Sequence, residues 1–294
     1  MFISPAHSRS GASRWAWLVL LALLVGCSST TFLYNRLDTL IGWYVNDYVS
    51  LTREQNALFD EQLEALHAWH RREELPQYIA LLDALDAALD NPLTDAELEV
   101  LYDRFLAAAE RLRVKMTTIA IDFGGELTLE QRLAFVASIR TNQQTWYDER
   151  VAMDDDAYRN LLVNRFTDNL ADFLGRLNDE QRQLIAERTK GMLRLHDEWH
   201  TQRSRWLDRL TAALRDNPDN WQAPVREALD SWDSDQSNAY QTTFAHNQRL
   251  SQALILDIVN RRTARQDKHL RRVIADYRND FASLLPAELS SVEE

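Results

Sequence analysis

Cysteine occurs once in the 294 residues, glycine seven times and proline six. One cysteine excludes an internal disulfide and any metal site built from two thiolates. An all-β or α/β fold of this length needs far more turn residues than these. Bases are outnumbered 33 to 45, a net charge of −12, which disfavours nucleic-acid binding and unassisted adhesion to anionic lipid. No glycine-rich phosphate loop and no glycine-flanked serine nucleophile occurs. Apolar residues at 45% and charged ones at 27% describe a globular chain, and the scarcity of breakers describes a helical one.

The single uninterrupted apolar run, Trp15 to Val25, is too short to span a bilayer comfortably. Arg9 and Arg14 precede it, as in a secretory signal, and it ends in Leu24-Val25-Gly26-Cys27. That ending resembles the bacterial lipobox. The resemblance implies cleavage before Cys27, diacylglycerol on its thiol and a fatty acid such as palmitate on its amine. Ser28, where aspartate would argue for inner-membrane retention, favours the periplasmic face of the outer membrane. The competing readings are a plain secretory signal with a chance cysteine, or a short uncleaved anchor. The expected order is signal peptide 1–26, lipidated tether 27–32, helical halves 33–126 and 127–285, and a disordered acidic tail 286–294. Removing 26 of 294 residues leaves 268, and the loss of Arg9 and Arg14 takes −12 to about −14.

From Thr31 to Val49, Leu33, Leu37, Leu40, Ile41, Tyr44, Val45 and Tyr48 recur at helical spacing. Two placements suit such a helix, in the headgroup region or against the domain's own core. Its acids and lack of lysine favour the core.

Leu51-Thr-Arg-Glu-Gln55 returns as Leu127-Thr-Leu-Glu-Gln131 and Leu177-Asn-Asp-Glu-Gln181, with Leu93-Thr-Asp-Ala-Glu97 a looser copy. Thr52/Gln55, Thr128/Gln131, Asn178/Gln181 and Thr94/Glu97 fit capping boxes, in which two side chains satisfy orphan amides at a helix start. The blocks beginning at Leu51 and Leu177 both end in Asp-Asn-Pro at the same interval (Pro92 and Pro218), and the same offset pairs His70 with His196. An internal duplication accounts for both. Pro76 predicts a kink or short break after Leu75. Single long apolar patterns run from Leu184 to Leu214 and from Val225 to Ile258.

Paired Leu-Thr-x-x-Gln motifs resemble those of the Spy and CpxP periplasmic chaperones, which implies a concave helical surface for unfolded clients. Tyr34-Asn-Arg-Leu-Asp38, Trp43-Tyr-Val-Asn-Asp-Tyr48, Leu51 to Gln55, Trp69-His-Arg71 and Glu74-Leu-Pro-Gln-Tyr78 resemble an uncharacterised family of Gram-negative lipoproteins. That resemblance implies a lipid anchor and a helical fold, with no catalytic residue or ligand.

His196-Asp-Glu-Trp-His200 places two histidines on one helix face, but the position where zincins carry glutamate holds Asp197. His67 and His70 are further candidate ligands. Histidines beside Trp69 and Trp199 are commonly interfacial residues bonded to a carboxylate, so no metal or other cofactor is expected. Arg261, Arg262, Arg265, Lys268, Arg271 and Arg272 form the one cationic run. Internal ion pairing is its plainer reading, and contact with an anionic partner or lipid the sharper one.

The sequence thus predicts an all-α bundle of long antiparallel helices in two related halves. Its expected role is a non-enzymatic envelope lipoprotein that holds a protein partner or client. The alternatives are a scaffold in envelope assembly and, behind it, a metal-dependent enzyme using the histidine pairs.

Overall fold

The computed structural model describes residues 34–232 and 236–290; the signal region, Cys27 and the last four residues lie outside it. Every regular element it describes is helical. In chain order these are α1 (Leu37–Asn46), α2 (Arg53–Trp69), α3 (Leu75–Ala88), α4 (Asp95–Gly124), α5 (Leu129–Val151) and α6 (Asp155–Leu174). There follow α7 (Asp179–Thr189), α8 (His196–Asp216), α9 (Gln222–Asp230), α10 (Asn238–Asn260), α11 (Ala264–Ser283) and the single turn α12 (Ala287–Ser290).

Local chemistry sets these boundaries. Thr52, Thr94, Thr128 and Asn178 cap their helices as full capping boxes with Gln55, Glu97, Gln131 and Gln181. A fifth box, Thr263 with Gln266, starts α11 from inside the basic run. Gly175 closes α6 at φ +70, a backbone angle that glycine adopts without strain. A side chain at Gly124 would put its Cβ 2.6 Å from the Trp221 ring, so α4 and α9 meet there only through glycine.

Pro76 neither breaks the chain nor ends a helix. α2 runs into α3 through a π-helical turn, His70–Glu74, with Pro76 in the first turn of α3. Proline lacks an amide and crowds the carbonyl four residues back, and the wider turn accommodates both. Two other expectations need correction. The Leu184–Leu214 pattern breaks between Thr189 and His196, and the Val225–Ile258 pattern is two helices, the second capped by the Ser237 hydroxyl. Leu284 is buried and Leu285 packs in a core cluster just ahead of the acidic tail, of which the described residues form the turn α12.

Antiparallel pairs form the frame. Tyr147 meets Asp197, Gln143 meets Ser204 and Arg140 meets Asp208, so α5 and α8 run in opposite directions. Arg278 with Asp83 and Arg271 with Asp86 and Asp90 do the same for α3 and α11. Burying an aliphatic side chain contributes about 2 kcal/mol, and the largest stores cross residue 126. Leu89 shares a cluster with Leu174, Ile185, Leu254 and Ile258, and Ile121 shares one with Val136, Leu207 and Trp221. The segments on either side of residue 126 therefore interleave. Leu37 of α1 packs on a cluster of Tyr34, Leu75, Phe281 and Leu284, and Ile41 and Val45 pack on one of Phe59, Leu63, Leu66 and Phe123, so that helix lies against its own domain.

Candidate functional site

Four of the five capping glutamines and glutamate meet in pairs. The Gln55 Nε2 donates to Gln131 Oε1 at 3.0 Å, and Gln131 Nε2 donates back at 2.8 Å. Gln55 also donates to the Glu126 carbonyl and Gln131 to the Ser50 carbonyl, while each Oε1 accepts its own cap amide. All hydrogen-bonding capacity of both amides is used. Gln181 and Gln266 repeat the arrangement at 3.1 and 2.8 Å, with Gln266 donating to the Arg176 carbonyl. The first clasp spans 76 residues and the second 85. Glu97, whose box is unpaired and exposed, carries the carboxylate that a clasp excludes. These motifs join helix starts to one another, which is a structural role.

Two histidine nests lie elsewhere. In the first, around the π-helical turn, Tyr34 hydroxyl and His70 Nδ1 are 2.8 Å apart and Tyr34 also packs on His67. Tyr78 stands edge-on to His70, and Glu74, 1% exposed, takes a two-pronged bond from Arg111 at 2.7 and 2.8 Å. Burial, reinforced by His67, lowers the His70 pKa to about 4, and burial pushes the Tyr34 and Tyr78 hydroxyls up. A neutral imidazole between two protonated phenols is poorly poised for acid–base work near neutrality.

In the second nest, at the α5–α8 seam, Tyr147 stacks on His200 at 4.0 Å and donates to Asp197. His200 Nε2 bonds Gln144 at 3.0 Å, and Trp146 packs on Trp199. Burial holds the His200 pKa down against the pull of Asp148 and Asp197. His67 and His70 both pack on Tyr34 in the first nest, and His196 and His200 both pack on Tyr147 in the second. Among the described residues no group of three or more histidines, cysteines and carboxylates can hold a metal ion.

The basic run divides. Arg261 pairs with Glu180 at 2.6 Å; Arg262 pairs with Asp267 and reaches the Val259 and Leu89 carbonyls. Arg271 bridges Asp86, Asp90 and Asp267, which tie α3 to α11. Arg265, Lys268 and Arg272 form an exposed stripe on α11, where Arg272 lies 2.7 Å from His269 Nδ1.

Sequence reasoning passed over the first half of α4. No residue from 95 to 107 is buried. Leu98, Leu101, Tyr102 and Phe105 are half-buried along one face, Leu106 is 45% exposed at its edge, and Val100 is 53% exposed on the far side. The carboxylates of Asp95, Glu99 and Asp103 are exposed and make no ion pair among the described residues. The signal was present as an apolar pattern with carboxylates interspersed, but sequence does not tell which stripes acquire a partner.

No described helix is long and apolar enough to cross a membrane. No curated protein and no solved structure matches the chain. A family model matches residues 47–241, from the end of α1 into α10, and the chain therefore belongs to DUF6279, a family of unknown function.

Proposed function

We propose that the mature protein is held on the periplasmic face of the outer membrane by a lipid on Cys27 and, without catalysis, holds another protein there. The lipobox supports the anchor and its side of the membrane. The observation that carries the holding role is the first half of α4. Helices in folded proteins draw most of their stability from a buried face, and thirteen residues here, 95–107, bury none. The exposed positions of this stretch carry Leu106 among the carboxylates of Asp95, Glu99 and Asp103, with Leu98, Leu101, Tyr102 and Phe105 half-buried next to them, so a suitable complement is a polypeptide segment carrying lysine or arginine and apolar side chains.

The test uses the full acylated chain in vesicles and follows light scattering from a cationic model protein as it unfolds. Suppression of aggregation at near-stoichiometric ratio is expected; none at about tenfold excess overturns the reading. Globomycin separately tests the anchor. Unprocessed precursor should accumulate, and normal processing removes the lipid from the account.

A further inference from the structure

The side chains that face outward along α11 carry one sign of charge. Arg265, Lys268 and Arg272 stand within about 60° of one another around the helix axis, and all three are exposed. Every other exposed position from Ala264 to Ser283 is alanine, asparagine or serine, so the exposed residues of this helix include no acid. Arg265 and Lys268 make no ion pair with a described residue, and Arg272 lies against His269 Nδ1 at 2.7 Å. Arg176 adds a fourth exposed cation beside them. Its carbonyl accepts from Gln266, and a Cβ at the neighbouring Gly175 would lie 3.5 Å from the His269 ring.

The acids around this face are engaged or turned away. Asp267 is held by Arg262 and Arg271, Asp86 and Asp90 of α3 by Arg271, and Asp83 by Arg278. Glu180 pairs with Arg261 and Asp179 with Arg182. On α6, Leu170 and Leu174 pack with Leu270 and Ile274 of α11, and Asp168 and Asp172 fall on the opposite side of that helix. Asp276, one turn beyond Arg272, is half-buried, and the basic patch ends there.

The patch also lies within reach of the start of the domain. Tyr34, 4% exposed, packs in a cluster with Phe281 and Leu284 at the far end of α11. Lys268 is thirteen residues back from Phe281, about 20 Å along the axis. Seven residues from Cys27 to Tyr34 reach at most about 24 Å. Phe281 faces away from the patch, and a tether of that length can pass a helix about 10 Å across.

We propose that this face of α11, Arg265, Lys268 and Arg272 with Arg176 beside it, rests on anionic phospholipid headgroups of the membrane that anchors the chain. It rests on the reading of Cys27 as lipidated. A chain of net charge −12 does not adhere unaided, but a tether keeps the patch at high local concentration over the surface. Each cation near an anionic leaflet favours contact about fivefold, and three together about a hundredfold. Contact along this face lays α11 flat on the membrane.

The experiment places the full acylated chain in phosphatidylcholine vesicles with and without phosphatidylglycerol. Cys27 is the one cysteine and its thiol carries the lipid, so a fluorophore on Ala275→Cys, an exposed position of the same face, reports on α11. A nitroxide on the lipid headgroup quenches the fluorophore on contact. Phosphatidylglycerol should raise the ratio of docked to free α11 about a hundredfold. Salt at about 1 M, where screening acts beyond about 3 Å, should abolish that rise, as should Arg265→Gln, Lys268→Gln and Arg272→Gln combined. Arg104→Gln, Arg205→Gln and Arg226→Gln combined, exposed on α4, α8 and α9, remove the same charge and should leave the rise intact. Equal quenching on the two lipids overturns the proposal, as does a rise that survives salt or is lost equally in both triple variants. Should the α11 variant fail to fold, the salt dependence of the wild type decides. Flotation with phosphatidylcholine vesicles reads the anchor separately. A chain that does not float loses the anchor and this contact together, whereas one that floats without lipid-dependent quenching loses only the contact.

Discussion

Gln181 and Gln266, 85 residues apart and 0% and 4% exposed, exchange hydrogen bonds at 3.1 and 2.8 Å while each also holds the cap amide of its own helix. The exchange requires that both side chains donate and accept at once. Gln181→Glu keeps the shape but removes the donor and buries a carboxylate, at a cost of about 3 kcal/mol measured by urea unfolding at pH 7. The protonated acid restores a donor, so the folded state raises the new carboxyl's pKa and binds its proton more tightly than the unfolded chain. The stability of Gln181→Glu relative to wild type should accordingly be best at low pH and fall as pH rises. A flat difference across pH would contradict the clasp.

His70 gives the opposite dependence. Its folded-state pKa lies near 4, below the ordinary value of 6.5, because burial opposes its charge. Its contribution is present above pH 6.5 and is lost as pH falls toward 4, a total of roughly 3 kcal/mol. His70→Gln retains an acceptor for Tyr34 and should flatten that part of the wild-type profile, read as the difference between the two unfolding curves.

Glu74 and Arg111 illustrate how a buried charge is held. Arg111→Met leaves the carboxylate of Glu74, 1% exposed, without its two strongest bonds and should destabilise by about 2–4 kcal/mol. The double variant Glu74→Leu with Arg111→Met removes both charges and should recover most of the loss in chemical denaturation. Equal stability of the single and double variants would show that the pair does little.

Much of this molecule could be read from local signals, and the remainder depends on distance. Thr52 to Gln55 and its copies mark helix starts because a capping box is complete within four residues. That Gln55 then seeks Gln131 is invisible, since nothing within 76 residues encodes which starts meet. Thr263 escaped notice because Arg262 stands where the other threonine boxes have leucine, inside a stretch that reads as a charge cluster. Pro76 signalled a disturbance, but sequence periodicity does not separate a break from a wider turn. Val100 and Leu106 of α4 fall outside the helical stripe of Leu98, Leu101 and Phe105, and local sequence does not tell whether such exposed apolar residues meet a partner.

The holding role stands or falls with that face of α4. The direct measurement is fluorescence anisotropy of a labelled peptide of alternating leucine and lysine, titrated with wild-type protein, Leu106→Asp and the pair Glu99→Lys with Asp103→Lys. All three should unfold at similar urea concentrations, because these side chains are exposed. Each variant should weaken binding by about tenfold or more, and added salt should weaken the wild type toward the charge-reversed pair. Identical affinities for all three proteins, or no binding by any, would contradict the account.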